Sequence, residues 1–462
     1  MKSLKEGLDT LFVAPRHYTQ SCSFADLKSI KIYDSTLRDG EQMAGVALAP
    51  DTKYLIAREL SDIGCHIIDL GFPASSPGEQ ATLQLVLQGK RKGEIREDFE
   101  ILIMCRATQQ DIDTTIKTIQ AQGFSANDVT FLIFTASSYL HCKYKLGPSL
   151  LKREGITGDD VPLEFYHQAN KNMIVDAIRY AKSRGVSHIE FGAEDASRTP
   201  LPQLIDLVQA TIDAGAQRYN FADTTGSLTP ESTRVYCQAL TKAFPHIERA
   251  THFHNDFGLA TINVVTGLMN GFSVFTTTAN GIGERAGNAA LHSVVASLRY
   301  LYGIEIPGFR YDRLWRLKNI VERATGVPVP PQEPVIGHNV FSHESGIHTH
   351  GVSIARCMYE PIPIEEVGGQ SKIVYGKHSG THGVMDYLEK HADEINCPQD
   401  HEFAVSLLEE IKALREARAR NVSVADNISS YYRDLDSLGI GEQELAQLAR
   451  ALAAKRISRA AA

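Results

Sequence analysis

Between residues 30 and 302, short runs of β-branched and aromatic residues recur eight times, and each is followed by a stretch with helical punctuation. The runs are 30–33, 66–70, 99–104, 129–134, 188–191, 218–221, 250–253 and 274–278. Ser76-Pro77-Gly78-Glu79 reads as a capping box with Pro at the first helical position, and Thr199-Pro200 and Thr229-Pro230 repeat the cap-then-Pro order. Gly64, Gly123, Gly185, Gly215 and Gly271 stand just before the next run, where helix C-caps belong. This grammar, without antiparallel alternation, predicts an α/β protein built on a (β/α)8 TIM barrel over 30–302. A doubly wound open sheet is the competing architecture. Before the barrel we expect an N-terminal extension at 1–29. After it we expect small α+β linker subdomains at 303–390 that cover the active site, then a helical region at 391–462. There Phe403, Leu407, Ile411 and Leu414 recur at helical spacing, as do Leu445, Leu448 and Leu452.

Composition narrows the function classes. The 462 residues are 43% hydrophobic and 22% charged, which is globular material, and a net charge of -8 gives no reason to expect nucleic acid or an anionic membrane. Seven cysteines are scattered without a C-x-x-C pair and read as reduced thiols of a cytoplasmic protein. No apolar run approaches the roughly 18 residues of a membrane span, and 1–20 does not read as a signal peptide.

A barrel places its chemistry at the C-terminal ends of its strands. Those ends carry Arg38 and Asp39, Gly71-Phe72-Pro73, Arg106, Thr135, Glu194 and Asp195, Asp223 and Thr224, His252 and His254, and the run from Asn280 to Arg285. On a strand, residues two apart share a face, so His252 and His254 converge as a metal claw while Phe253 points into the other layer. Two polar side chains on a strand end is the bland alternative. A carboxylate with two neutral imidazoles suits a borderline divalent ion and leaves positions for a chelating substrate.

Six runs carry a resemblance. They are Asp34-Ser-Thr-Leu-Arg-Asp-Gly-Glu-Gln42, Gly71-Phe-Pro-Ala-Ser-Ser-Pro-Gly78, Glu194-Asp-Ala-Ser-Arg-Thr199, His252-x-His-Asn-Asp256, Asn280-Gly-Ile-Gly-Glu-Arg-Ala-Gly-Asn288 and His343-Glu-Ser-Gly-Ile-His348. In order and spacing the chain from about 30 to 385 resembles the isopropylmalate synthase and homocitrate synthase family. The resemblance implies an acyltransferase that condenses acetyl-CoA with a 2-oxo acid on a divalent metal (Zn, Mn, Mg or Co) inside the barrel. It implies Asp39, His252 and His254 as metal ligands, with Asn280 in or next to the coordination sphere. Arg38 would stabilise developing negative charge at the keto oxygen, with a salt bridge to a rim carboxylate as its plainer role. Thr224 would hold the substrate carboxylate, Gln42 and His141 would line the substrate site, and Glu194 would be a further catalytic carboxylate. His348 would be the base that deprotonates acetyl-CoA, with Glu344 orienting it and Tyr359 nearby. In the family this segment reaches the barrel from the other subunit of a homodimer.

Several readings stay open. His338, His343, His348 and His350, at intervals of five, five and two, offer a second metal site as a rival, though the spacing fits no familiar zinc pattern. A hydroxymethylglutaryl-CoA-lyase-like carbon–carbon lyase on the same barrel is the alternative function. A barrel metallohydrolase would carry its His-x-His pair on strand 1, not strand 7, and a pure binding protein would not need the ligands, Arg38 and the base together. Met43-Ala-Gly-Val-Ala47 is closer to some homocitrate-type sequences, whereas the run from Gly71 points to isopropylmalate synthases, and Asp39 stands where the fungal homocitrate branch has Glu. The tail beyond 390 is too short for the leucine-sensing domain of longer isopropylmalate synthases, so no leucine feedback of that kind is expected.

Overall fold

Eight parallel strands close on themselves in sequence order in the computed structural model of the chain, which describes residues 19, 21–24, 29–158, 160–395, 397–419, 430 and 447. Closure excludes the open sheet: β1 (Lys31–Asp34) pairs with β2 (Ile67–Asp69) on one side and β8 on the other, Lys31 opposite Val274 and Asp34 opposite Thr277. In chain order the barrel runs β1, α1 (Pro50–Ile63), β2, α2 (Pro77–Arg91), β3 (Glu100–Arg106), α3 (Gln109–Gln120) and β4 (Thr130–Ala136). The longer crossover that follows holds α4 (Tyr139–Tyr144), α5 (Gly147–Arg153) and α6 (Leu163–Ser183). The barrel then continues as β5 (Ile189–Glu194), α7 (Leu201–Ala214), β6 (Arg218–Asp223), α8 (Pro230–Ala243), β7 (Glu248–Phe253), α9 (Ala260–Met269) and β8 (Val274–Thr277), and α10 (Leu291–Ala296) and α11 (Leu314–Thr325) come next. Most of the expected 1–29 extension and the Leu445, Leu448 and Leu452 stripe lie outside the described residues.

The strands are apolar on both faces because helices cover one side and the lumen the other. Inside, Tyr33, Ile67, Leu102, Leu132, Ala250 and Val274 form one buried layer with Met104 packed against it. At the N-terminal end Arg218 closes the barrel, bonded to Glu190, to Glu100 at 2.6 Å and to Glu248 at 3.0 Å. The opposite rim is left for chemistry.

Helix starts follow the predicted punctuation with two differences. Ser76 accepts the Glu79 amide as expected, but the Glu79 carboxylate, instead of closing the box, bonds Lys53 and accepts the Phe72 amide at 3.0 Å. Thr199 is not a cap: Pro200 takes that position, and the Thr199 hydroxyl donates to Ser137 Oγ and the Asp195 carbonyl. Thr229 caps α8 in a reciprocal box with Ser232. Gly64 ends α1 at φ 105°, a left-handed conformation that any Cβ would strain.

The chain divides into two compact units, 1–43 with 48–324 and 334–336, and 44–47 with 325–333 and 337–462. Within the second, β9 (Ser342–His343) pairs in parallel with β10 (Lys372–Ile373), with α12 (Gly346–Ile354) between them in sequence. Helices α13 (Thr381–Lys390), α14 (Ala392–Ile395) and α15 (His401–Ala419) follow. Val384 and Leu388 of α13 meet Ala404 and Leu408 of α15, with Phe403, Leu407 and Ile411 packed on them. Leu414, expected in the same stripe, is 52% exposed. Among the described residues no helix is long and apolar enough to cross a membrane, and none of the seven cysteines is bonded to another.

Candidate metal centre

Strand β7 ends at Phe253, which is fully buried, and sends His252 and His254 to the lumen side of the C-terminal rim. The turn after β1 brings Asp39 to the same point. His252 Nε2 lies 3.3 Å from His254 Nε2 and 3.4 Å from Asp39 Oδ2, and His254 Nε2 is 3.9 Å from that oxygen. All three residues are buried, and their ligand atoms lie within 4.8 Å of one another, forming the one such group among the described residues.

The electrostatics favour a cation. Burial pushes the Asp39 carboxyl up, yet Arg38, His252 and His254 outweigh it and hold it well below the usual carboxylate range. Burial, with the His252 ring beside it, pushes the His254 imidazole down to about 4, so near neutral pH it is an uncharged lone-pair donor. Both rings leave Nδ1 buried without a hydrogen-bond partner and turn Nε2 toward the Asp39 carboxylate oxygen. Three lone-pair donors meeting at one point are satisfied by a shared cation, and one carboxylate with two imidazoles is the donor set of a borderline divalent ion. The residues present therefore fit such an ion.

Arg38 shows the plainer role expected of it, ion pairs with carboxylates of the rim. Its Nη1 donates to Asp39 Oδ2 at 2.6 Å and its Nε to Asp69 Oδ2 at 2.7 Å. Burial works against the charge, but Asp69 and Asp39 outweigh it and hold the guanidinium above its ordinary value. Asp69 is itself held by Ser35 Oγ at 3.0 Å and the Gly71 amide at 3.2 Å.

Asn280 is the correction. It adopts a left-handed backbone (φ 59°) and donates its amide to the Lys318 carbonyl at 3.2 Å, away from the cluster. Asn288, at the other end of the same run, donates Nδ2 to Asp39 Oδ1 at 2.7 Å and keeps its Oδ1 buried without a partner. Residue 254 bridges to 288 in an antiparallel pair, and Gly283 makes the room: a Cβ there would lie 2.2 Å from Asn288 Nδ2.

A cavity of about 350 Å³ opens at the N-terminal end of the barrel around Arg218, where every strand-borne charge has its partner. The Asp39–His252–His254 cluster lies at the other end, in a cavity of about 300 Å³ that also gathers Arg38, Gln42, Glu194 and Thr224. Thr224 Oγ1 accepts the Asp195 amide at 2.9 Å, which leaves its hydroxyl proton for another acceptor. Glu194 is bonded through both oxygens to Lys145, at 2.6 and 2.8 Å, and His141 Nδ1 is 3.5 Å away. Three rim residues are structural. Arg106 is committed to Asp111, Thr135 donates to Asn170, and Asp223 accepts the Ser227 and Leu228 amides. Sequence reasoning assigned no side-chain role to Asp69, Asn288, Lys145 or Arg285. Asp69 ends a strand, and Arg285 and Asn288 lie in a quoted run, so all three carried a signal; Lys145 carried none beyond its charge and its place in the long connection after β4.

Glu344, His348 and Tyr359 belong to the second unit. The His348 ring stacks on Tyr359 with centroids 4.1 Å apart and planes at 23°, and it lies 6.2 Å from the His343 ring. Glu344 packs against Gly376, and its carbonyl accepts Ser379 Oγ at 3.1 Å. The remaining histidines of the rival metal site have separate partners: His343 meets Glu360 at 3.2 Å, His338 meets Lys372, and the His350 ring lies tilted against His382 with centroids 4.9 Å apart.

The sequence matches the HMGL-like family over residues 29–157 and 160–321, and the homocitrate synthase post-HMGL domain-like family over 335–419. It is 40% identical to a 2-isopropylmalate synthase of Sulfolobus acidocaldarius over 88% of this chain and 96% of that one. It is 38% identical to homocitrate synthase AksA of Methanocaldococcus jannaschii over 85% of this chain and 87% of that one. Among solved structures, the HMG-CoA lyase of Bacillus subtilis superposes with a TM-score of 0.51 at 21% identity, covering 67% of this chain and 97% of that one, a likeness of fold.

Proposed function

We propose that this chain, which belongs to the HMGL-like family, is an acyltransferase that condenses acetyl-CoA with a 2-oxo acid to give a 2-alkylmalate-type acid and free CoA. The observation that carries the reading is the Asp39–His252–His254 cluster with Arg38 beside it in the barrel mouth, in a chain so similar to synthases of this chemistry. The lyase alternative has only the shared barrel behind it, at 21% identity.

Asp39, His252 and His254 would hold the divalent ion, with Asn288 in the place first given to Asn280. When bound, the ion supplies Lewis acidity at the keto group of the 2-oxo acid. Arg38, always charged and fixed by two carboxylates, stabilises the negative charge that grows on the keto oxygen as the new bond forms. Thr224 donates its free hydroxyl proton to the substrate carboxylate, and Gln42 and His141 help to position it. His348 takes a proton from the acetyl methyl, that carbon attacks the keto carbon, and the oxygen of the former keto group takes up the proton that His348 gives back. Water then cleaves the thioester, and CoA leaves as a thiol. Tyr359, stacked on His348, and Glu344 would orient the base, and Glu194 would serve as a carboxylate at the pocket rim. This reading has the segment that carries Glu344, His348 and Tyr359 fold over the barrel mouth from the partner subunit of a homodimer; two-fold dimers are the commonest oligomers.

The test is thiol release from acetyl-CoA with a panel of 2-oxo acids, with and without chelator. Release that depends on both the acid and the metal is expected. No release with 2-oxoisovalerate, 2-oxoglutarate, pyruvate or oxaloacetate overturns the proposal.

A further inference from the structure

We infer that the 2-oxo acid taken by this site has an uncharged aliphatic side chain, and that Met104, Leu132 and Phe134 set that preference. The inference rests on the condensation proposed above and concerns the end of the cavity remote from the reacting carbons.

In a closed eight-stranded barrel each strand faces the one four places along, so β3 lies across the lumen from β7, β4 from β8 and β5 from β1. The cation ligands and Arg38 stand on the β7 and β1 side. The wall facing them is therefore built by Met104 of β3, Leu132 and Phe134 of β4, and Gly192 and Ala193 of β5, all of which line the cavity. Leu132 belongs to the buried lumen layer and Met104 packs against it. A Cβ at position 192 would lie 2.9 Å from Phe134 Cβ and 3.0 Å from Leu132 Cδ1, so glycine is what lets these two side chains fill the wall. Apart from Glu194, at the end of β5 and paired with Lys145, this wall is hydrocarbon.

The charges around the cavity complete the argument. A second substrate carboxylate would need a cation without a partner, because burying it against hydrocarbon is otherwise strongly unfavourable. Lys145 is neutralised by both oxygens of Glu194. Arg285 is held in a fork by both oxygens of Asp256, each at 2.9 Å. Arg38 has Asp39 and Asp69 and faces the reacting end. Asn220 spends its Nδ2 on Glu190 at 2.9 Å and keeps an unpartnered Oδ1, an acceptor that repels an anion. Hydrocarbon walls and cations already paired favour a chain of methyl and methylene groups over a dicarboxylate.

The experiment measures kcat/KM by thiol release on the full chain with its divalent ion, for pyruvate, 2-oxobutyrate, 2-oxoisovalerate, 4-methyl-2-oxopentanoate, oxaloacetate and 2-oxoglutarate. The best aliphatic acid should exceed both dicarboxylates by at least about a hundredfold, the scale on which a pocket rejects a group it leaves unpaired. A dicarboxylate within about tenfold of the best aliphatic acid overturns the inference while leaving the condensation intact; no release with any acid overturns the condensation, and this inference with it. Met104→Ala should raise KM about tenfold for the preferred acid, as for a few lost methylene contacts, and move the optimum to a longer chain. A fall in kcat alone, with the order of preference unchanged, overturns the assignment of the wall.

Discussion

Lys53 is 1% exposed and lies between two carboxylates, Glu41 at 2.5 Å and Glu79. Through them it clasps the two turns that flank Arg38. Glu41 neighbours Gln42 and also accepts the Leu48 amide at 2.8 Å. Glu79 accepts the Phe72 amide, next to Gly71, which bonds the Asp69 that holds Arg38. Lys53→Met keeps most of the methylene stem but leaves two acids facing each other. Removing one partner of a buried ion pair costs about 3–5 kcal/mol. Glu41 and Glu79 retain 23% and 15% exposure of their side chains, so water offsets part of the loss, and the expected cost is about 3 kcal/mol. With an m value near 3 kcal/mol/M the urea midpoint should fall by about 1 M. Adding Glu79→Gln should restore part of that, because it removes one of the stranded charges, a coupling that a double-mutant cycle reads directly. A Lys53→Met protein within about 0.5 kcal/mol of the parent, the range of an ordinary surface change, or a Glu79→Gln addition that lowers stability further, would refute the clasp.

Three further outcomes follow from the same geometry. His254→Ala should lose divalent-ion binding by calorimetry while its far-UV CD is unchanged, and retained stoichiometric binding would show that the centre lies elsewhere. Asn288→Ala should weaken ion binding by roughly 10–100-fold, as for residues that orient metal ligands, whereas Asn280→Ala should leave it unchanged; the opposite order would return Asn280 to the site. Burial pushes the Asp34 carboxyl from 3.8 to about 7 although Thr36 bonds it. Between these values the folded chain keeps a proton that the unfolded chain has lost, so this group's contribution is intact below pH 4 and falls by up to roughly 4 kcal/mol as pH rises through 7. The urea midpoint of Asp34→Asn should therefore decline less between pH 5 and pH 8 than that of the parent, and equal declines would remove Asp34 as the cause.

Much of this protein was legible in one dimension. The eight strand–helix units follow from local hydrophobic runs, Pro at first helical turns and Gly at helix ends, all of which act over a few residues. The His252–His254 claw follows from the two-residue period of a strand, and Asp39 and Arg38 from their place at a strand end. Local signals also misled where long-range partners compete. Glu79 has the position of a capping-box acid, yet buried Lys53, twenty-six residues earlier, is a stronger partner for a carboxylate than a backbone amide. Asn280 and Asn288 are indistinguishable by type, and only the bridge between positions 254 and 288 sets one against Asp39.

Ring closure was decided by tertiary structure, because periodicity is the same for an open sheet and a barrel until β1 finds β8. So was the pairing of the cavity's cations. A sequence displays Lys145, Arg285, Glu194 and Asp256 as four separate charges, and which charge neutralises which depends on distances between residues far apart in the chain. The convergence of His252 and His254 was thus written in strand periodicity, whereas the apolar character of the cavity wall is a property of side chains from three strands that meet only when the barrel closes.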